Sequence, residues 1–243
     1  MTTTQPAFLD SVGGPIDEVC RQVLAATGHL LGHTIGFSEE DWSLDSRLPG
    51  WSRAHVAAHL AENAVGLRRL ILGVIRGREA AMYDSPEARD AAIQLGAARD
   101  SLSLQIALDT SAGLLATALH DLPPAMRDEP VRLASGIRVP ARLIPLIRLS
   151  ELILHHCDLD SGFTLGEADT TPVLWCLELR AAMLRGRRDY PALRLIASEG
   201  LDVTTGRDGR QDLVRSDART LLAWLTGRGP APEGVRLPPL PIF

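Results

Sequence analysis

The sequence predicts an α+β protein, with an up-and-down four-helix bundle at residues 1–165 and a smaller α+β domain at residues 166–243. Two observations support this prediction. Apolar residues recur at helical spacing in four long segments of the first part, with short connections between them. The second part instead mixes short β-like runs with glycine-rich turns. At 243 residues the chain is long enough to give both parts a core.

The four predicted bundle helices cover residues 16–34, 52–77, 85–123 and 141–159. Ser52 follows a loop and suits the N-cap of the second helix. The third helix carries a break in its apolar spacing and is predicted to be interrupted or tilted. Short connections between long helices favour antiparallel neighbours, as in a bundle.

Between the third and fourth helices, residues 131–143 alternate in polarity around a Ser-Gly pair, which fits a small hairpin and an extended loop equally well. The second part begins with a helical stretch at residues 171–187. It continues with short strands and turns, and it ends with a helix before the Pro-rich tail at residues 230–243.

Composition excludes several classes of function. The net charge of -5 argues against a general role in nucleic-acid binding. Three cysteines without a CxxC pair suit a reducing cytoplasm. The N-terminus has neither the basic nor the apolar region of a signal peptide, and apolar runs fall short of the roughly 20 residues of a membrane helix. We therefore expect a cytoplasmic protein that binds neither nucleic acid nor a membrane.

A carboxylate and an imidazole interrupt the apolar fourth helix. Glu151 and His155 lie four residues apart and project from one face. A carboxylate in apolar surroundings has to be paired, protonated or bound to a cation. An ion pair between Arg148 and Glu151 at i,i+3, with His155 as a core histidine, explains both groups, and so does a metal site. Asp158 and Asp160 are predicted to cap or terminate this helix.

The second helix carries His55 and His59 on one face. The pattern is not the HExxH motif of metalloproteases, because Val56 occupies the position of the general-base glutamate. One histidine from this helix together with Glu151 and His155 forms a set of two imidazoles and one carboxylate. Catalytic zinc sites with an open fourth position use this ligand set, and bundle interiors commonly hold such sites.

Four segments in this order resemble one family: RLPGWSRAHVAAHLAENAVGLRRL, MYDSPEARDAAIQLGA, ELILHHCDLDSGF and LLAWLTGRG. Together they resemble the mycothiol-dependent maleylpyruvate isomerase family, a branch of the DinB-like metal-binding bundles. The resemblance covers nearly the whole chain. The first block is typical of the wider family, whereas the MYxSPEAR pattern is closer to the isomerase itself.

The resemblance implies that His59, Glu151 and His155 bind a divalent metal, with zinc as the expected ion. His55 is then expected to support the site rather than to bind the metal. Cys157, next to these residues, is expected to be a small core residue.

The resemblance also implies that Arg89 and Arg228 lie at the active site. Two guanidinium groups suit a substrate with two carboxylates, since each can bind a carboxylate with two hydrogen bonds. A surface ion pair or a helix C-cap is the alternative role for each arginine.

The implied activity is the cis–trans isomerisation of maleylpyruvate to fumarylpyruvate in aromatic degradation, with zinc and mycothiol or another low-molecular-weight thiol as cofactors. One alternative is a zinc-dependent S-transferase that uses mycothiol or ergothioneine on the same scaffold. Another is a non-catalytic binding protein in which the metal only stabilises the bundle. Such a structural site needs Cys157 or His55 as a fourth ligand. The expected partners are a dicarboxylate and a small thiol, and both a monomer and a homodimer fit the sequence.

Overall fold

The structure is a computed structural model and describes residues 12–235. Residues 1–11, on which the expectation of no signal peptide rests, and residues 236–243, the end of the Pro-rich tail, lie outside the described residues. The chain forms two compact units. One unit is Pro15–Thr164, and the other comprises, among the described residues, 165–235 together with residues 12–14.

The larger unit is helical, with one small hairpin. Its elements are α1 (Ile16–Thr34), α2 (Glu39–Ser43), α3 (Arg53–Ile75), α4 (Pro86–Ala97), α5 (Ser101–His120), β1 (Pro130–Arg132), β2 (Arg138–Pro140) and α6 (Ile144–Asp158). The long helices pack as a bundle, with α3 against α5 and α6, and α1 against α5 and α6. The segment that fitted both a hairpin and a loop is a hairpin, in which Val131 pairs with Val139 in antiparallel register.

The predicted third helix is interrupted, as expected, and consists of α4 and α5. Helix α4 ends at Ala97, and the Asp100 side chain accepts a hydrogen bond from the backbone N–H of Ser103 and starts α5. Gly96 lets α4 approach α3 closely, because a Cβ atom at this position would lie 2.8 Å from the Cβ of Ala58. The break therefore redirects the chain while α4 stays packed over the face of α3.

Helix α6 is central to the larger unit. All of its residues except Ser150 and Glu151 are buried. It contacts both α1 and α3, which explains why its apolar residues surround the helix. The polar side chains that α6 carries are consequently held inside the bundle.

In its described part, the smaller unit contains two helices and a three-stranded sheet. Its elements are α7 (Thr170–Leu184), β3 (Leu193–Ala197), β4 (Asp202–Thr205), β5 (Asp212–Ser216) and α8 (Ala218–Leu225). Strand β3 is central and pairs antiparallel with β4 and parallel with β5. Helix α7 packs on α8 and β4. The two units together confirm the predicted α+β class.

Within residues 12–235, one helix is long and apolar enough to cross a membrane by length and composition, namely α5. The sequence had not been expected to contain such a segment. Helix α5 packs on α1 and α3, and Leu104, Leu108 and Leu115 along it are buried. Core helices of bundles share this composition.

Candidate metal centre

The three side chains predicted to bind a metal converge in the larger unit. His59 comes from the middle of α3, and Glu151 and His155 come from successive turns of α6. Oε2 of Glu151 lies 3.0 Å from Nε2 of His59 and 3.6 Å from Nε2 of His155. The donor atoms of all three lie within 4.8 Å of one another, and residues 12–235 contain no second cluster of this kind.

The arrangement fits a tetrahedral metal ion. Bonds near 2.1 Å at a tetrahedral angle put neighbouring donor atoms about 3.4 Å apart. The two distances to Glu151 lie on either side of this value. Two imidazoles and one carboxylate suit zinc and other divalent first-row metals. The described residues supply no fourth ligand to this cluster, which leaves a coordination position for an external molecule.

His155 is oriented by Asp158, one turn further along α6. Nδ1 of His155 donates a hydrogen bond to Oδ2 of Asp158 at 2.8 Å, and the Asp158 residue is fully buried. This bond places the proton on Nδ1 and leaves Nε2 available as a ligand atom. Asp158 is the last residue of α6, as predicted, but the sequence had not assigned its carboxylate to His155. The i,i+3 spacing of the two residues was the available signal.

His59 contacts Arg89 on the side away from Glu151. Nη2 of Arg89, near the start of α4, lies 3.3 Å from Nδ1 of His59. The structure thus places one of the two predicted active-site arginines beside the candidate metal ligands. Its guanidinium also lies over the ring of Tyr83, 5.9 Å from the ring centroid. The indole of Trp51 lies 5.6 Å from the His59 ring, so two aromatic side chains that the sequence did not single out flank this region.

Charge and burial shift the pKa values of all three candidate ligands. Burial alone would raise the pKa of Glu151, but hydrogen bonds from His155 and His59 outweigh it and hold the pKa well below its usual range. Burial lowers the pKa of His155, yet its bonds to Asp158 and Glu151 outweigh burial and raise the pKa overall. Burial and the neighbouring His155 lower the pKa of His59. Of the two candidate histidine ligands, His155 therefore holds a proton more strongly than His59 in the absence of a metal.

Arg148 does not form the direct ion pair with Glu151 that its spacing allowed. Its Nη1 donates to the backbone oxygen of Leu60 at 2.8 Å and to Oδ1 of Asn63 at 3.0 Å. Nδ2 of Asn63 in turn donates to Oε2 of Glu151 at 3.3 Å. Burial lowers the pKa of Arg148 to about 10, so the guanidinium is charged at neutral pH. Arg148 and Glu151, both on α6, are therefore linked through a side chain of α3.

His55 and Arg228, which the sequence analysis also singled out, have local partners. The His55 ring contacts the Ser52 hydroxyl at 2.8 Å, at the start of α3, and the Gln94 side-chain oxygen at 3.2 Å. Arg228 belongs to the smaller unit, where its Nη1 donates to the backbone oxygen of Thr226 at 2.9 Å.

Comparisons with known proteins extend this description. The family model for the mycothiol maleylpyruvate isomerase N-terminal domain matches residues 23–160, which is more than half of the chain. A crystal structure of the mycothiol-dependent maleylpyruvate isomerase is similar with a TM-score of 0.82 and 24% identity, covering 99% of this chain and 100% of that one. A histidine-to-alanine mutant of the mycothiol-dependent maleylpyruvate isomerase is similar with a TM-score of 0.82 and 23% identity, at the same coverage. These likenesses show a shared fold.

The comparison with curated protein sequences produced no match. The family model, however, spans His59, Glu151 and His155 together with Arg89 and Asp158, which are the residues that form and support the cluster. The chain therefore belongs to the mycothiol maleylpyruvate isomerase N-terminal domain family.

Proposed function

We propose that this protein is a metal- and thiol-dependent isomerase that converts maleylpyruvate to fumarylpyruvate, with zinc and mycothiol as its cofactors. The observation that carries the proposal is the cluster of His59, Glu151 and His155 with Arg89 beside it, in a chain of this family. The similar crystal structures are those of a mycothiol-dependent maleylpyruvate isomerase, which supports the choice of substrate and thiol.

His59, Glu151 and His155 would hold the metal through two imidazole nitrogens and a carboxylate oxygen. A divalent metal bound there would lower the pKa of an external thiol, so that the thiol would be available as a thiolate at neutral pH. The Glu151 side chain is 30% exposed, whereas both histidine side chains are at most 10% exposed. An external thiol therefore reaches the cluster from the Glu151 side.

The proposed reaction is balanced without a redox partner. Addition of the thiol across the cis double bond of maleylpyruvate forms a carbon–sulfur bond, and the former double bond becomes a single bond. The adduct rotates about this bond. Loss of the same thiol then leaves the trans double bond of fumarylpyruvate, and the thiol is regenerated.

Arg89 is the proposed partner of a substrate carboxylate. In the structure Nη2 of Arg89 donates to Nδ1 of His59. With Nε2 of His59 engaged as a ligand atom, the neutral ring carries its proton on Nδ1 and no longer accepts this bond. Nη2 of Arg89 is then available for a substrate carboxylate, while Nη1 of the same guanidinium donates to Oδ1 of Asp90 at 2.9 Å. Arg228 remains a predicted partner of the second carboxylate, on the resemblance of the sequence.

Three protein ligands also argue against a metal that only staples the bundle. Structural zinc sites have four protein ligands, and neither Cys157 nor His55 belongs to the cluster. His55 is engaged by Ser52 and Gln94. The three-ligand set favours catalysis, because it keeps a position open for a reactant.

The decisive experiment is a spectroscopic isomerase assay on purified protein of known zinc content. Maleylpyruvate is supplied without a thiol and with mycothiol, ergothioneine or glutathione in parallel. We expect turnover with mycothiol, and none in the Glu151→Ala variant, which loses the metal. Absence of turnover with every thiol at full zinc occupancy would reject the isomerase and point to the S-transferase.

A further inference from the structure

A buried amide connects a charged residue to the candidate metal ligand. Asn63 lies one turn after His59 on α3 and is 5% exposed. Its Oδ1 accepts a hydrogen bond from Arg148, and its Nδ2 donates one to Oε2 of Glu151. That oxygen is the same atom that approaches both candidate histidine ligands.

The chemistry of the three groups determines how the amide faces. An arginine side chain can only donate hydrogen bonds, so the amide oxygen of Asn63 has to face Arg148. The amide NH₂ group is then directed at Glu151, where an ionised carboxylate can only accept. A reversed amide would put two donors together at Arg148 and two acceptors together at Glu151. The buried guanidinium therefore holds the amide in one orientation.

We propose that Asn63 is a positioning residue of the metal centre, and that Arg148 holds its amide so that the NH₂ group fixes Oε2 of Glu151 between the two histidines. This inference rests on the metal site of the proposed function. Carboxylates that bind metals are typically held by such hydrogen bonds from neighbouring groups.

The amide also explains why Arg148 and Glu151 do not pair directly. A guanidinium bound to the carboxylate itself would occupy its oxygens and bring a positive charge next to a bound cation, which repels it. Asn63 accepts a hydrogen bond from Arg148 and donates one to Glu151, so the charge of Arg148 stays one side chain away from the carboxylate. Glu151 thus gains a donor and keeps its capacity to bind a metal.

The same bundle contains a matched control. Gln105 on α5 accepts from the Thr34 hydroxyl at 3.0 Å and donates to the backbone oxygen of Leu31 at 3.0 Å. This amide also joins two helices, α1 and α5, through one acceptor and one donor bond. None of its partners belongs to the candidate metal cluster.

The test compares the variants Asn63→Leu and Gln105→Leu with the wild-type chain. Zinc affinity is measured by competition with a chromogenic chelator, and the ligand geometry is followed by the visible absorption of the cobalt-substituted protein. Thermal unfolding of the metal-free proteins reports the structural cost of each change. We expect Asn63→Leu to bind zinc about 10–100-fold more weakly and to alter the cobalt spectrum. Gln105→Leu should lower the unfolding temperature but leave zinc affinity and spectrum unchanged.

Two outcomes separate this inference from the proposed function. The positioning role alone would be overturned if Asn63→Leu had the zinc affinity and cobalt spectrum of the wild type. The same holds if both changed no more than they do in Gln105→Leu. A wild-type chain that binds no zinc would overturn the metal site itself and the inference with it. Asn63→Ala removes the same two hydrogen bonds without adding volume, and it carries the test if Asn63→Leu does not fold.

Discussion

Single side chains decide how the candidate ligands present their donor atoms. The buried carboxylate of Asp158 accepts a hydrogen bond from Nδ1 of His155, and the amide of Asn63 donates one to Oε2 of Glu151. His59 has a looser partner, since the Arg89 guanidinium is 3.3 Å away. The three ligands are thus supported to different degrees, and substitutions of their supporting residues should differ in effect.

Two substitutions of Asp158, one mild and one severe, should weaken metal binding to different degrees. Asp158→Asn keeps a hydrogen-bond acceptor for Nδ1 of His155 but removes the negative charge, whereas Asp158→Ala removes both. Loss of such a supporting group typically costs about 10–100-fold in metal affinity. We expect zinc affinity to fall from wild type to Asp158→Asn and further to Asp158→Ala, measured by chelator competition at pH 7. Equal affinities for all three proteins would show that Asp158 does not act on the ligand.

Zinc affinity should also depend on pH through His155. A metal binds the neutral ring, so the proton on Nε2 competes with it. Because Asp158 and Glu151 raise the pKa of His155 despite burial, this competition begins at a higher pH than for an ordinary histidine. We expect zinc affinity to fall as the pH drops through the raised pKa. In Asp158→Asn we expect a lower pKa of His155, because the negative charge that raises it is removed, and the fall in zinc affinity should shift to lower pH.

Zinc titrations across the pH range measure this shift directly. Calorimetry in two buffers of different ionisation enthalpy measures the protons released when zinc binds, and the number released should rise as the pH falls. An identical pH profile for wild type and Asp158→Asn would contradict the assigned origin of the shift.

Substitution of Arg89 or Arg228 should weaken substrate binding without changing the zinc content of the protein. A charge-assisted hydrogen bond contributes about 1.5–3 kcal/mol, which corresponds to roughly 10–150-fold in kcat/KM. We expect Arg89→Ala and Arg228→Ala each to lose activity within this range, mainly through a higher KM, while zinc content stays at the wild-type level. Arg69→Ala, which removes an exposed ion pair with Asp84 and a hydrogen bond to the backbone oxygen of Met82, is the control. Unchanged kinetics for either variant would make that arginine a surface residue.

At the scale of elements, α6 shows what the sequence could predict and what it could not. Its apolar spacing predicted a buried helix, and this is confirmed. The spacing of Arg148 and Glu151 was equally compatible with a direct ion pair. What separates the two groups is Asn63, 85 positions away from Arg148 in the sequence, and periodicity within one helix contains no information about such a partner.

The helix boundaries follow the same division between local and distant causes. Helix α1 covers the predicted residues 16–34, because its signals are local. The break between α4 and α5 was visible in the apolar spacing, whereas its position depends on the Asp100 cap and on the approach of Gly96 to Ala58. The exact position of this break, which the sequence did not predict, is thus set partly by the packing of α4 against α3.

The buried guanidinium of Arg148 should make α6 sensitive to truncation at this position. Removing one member of a buried charged network costs about 3–5 kcal/mol because its partners are left uncompensated, and a small replacement also leaves a cavity that a longer apolar side chain partly fills. We therefore expect Arg148→Ala to lower the free energy of unfolding of the metal-free protein by this amount, and Arg148→Met to lower it less. Urea unfolding measures both, with Arg69→Ala as the exposed control. Equal losses for Arg148→Ala and Arg69→Ala would contradict the role of burial.

At the scale of the whole molecule, the metal is expected to stabilise the folded chain. The ligands come from α3 and α6, and His59 and Glu151 are 92 positions apart in the sequence, so the complete site exists only when the bundle is folded. A ligand that binds only the folded state stabilises it by about 2.7 kcal/mol at a free concentration 100-fold above its Kd. For a chain of this length that corresponds to roughly 5–10 °C in Tm.

Removal of zinc with a chelator should therefore lower the Tm of the wild-type protein by this amount, and added zinc should restore it. Glu151→Ala and His59→Ala should unfold near the temperature of the metal-free wild type and should respond to neither treatment. Gln105→Leu, with its ligands intact, should start from a lower Tm but show the full zinc-dependent shift. Differential scanning calorimetry with and without zinc measures all four proteins. The carboxylate of Glu151 lies next to both histidines, so its removal should disrupt the whole site. If zinc raised the Tm of Glu151→Ala as much as that of the wild type, the stabilising ion would be bound elsewhere.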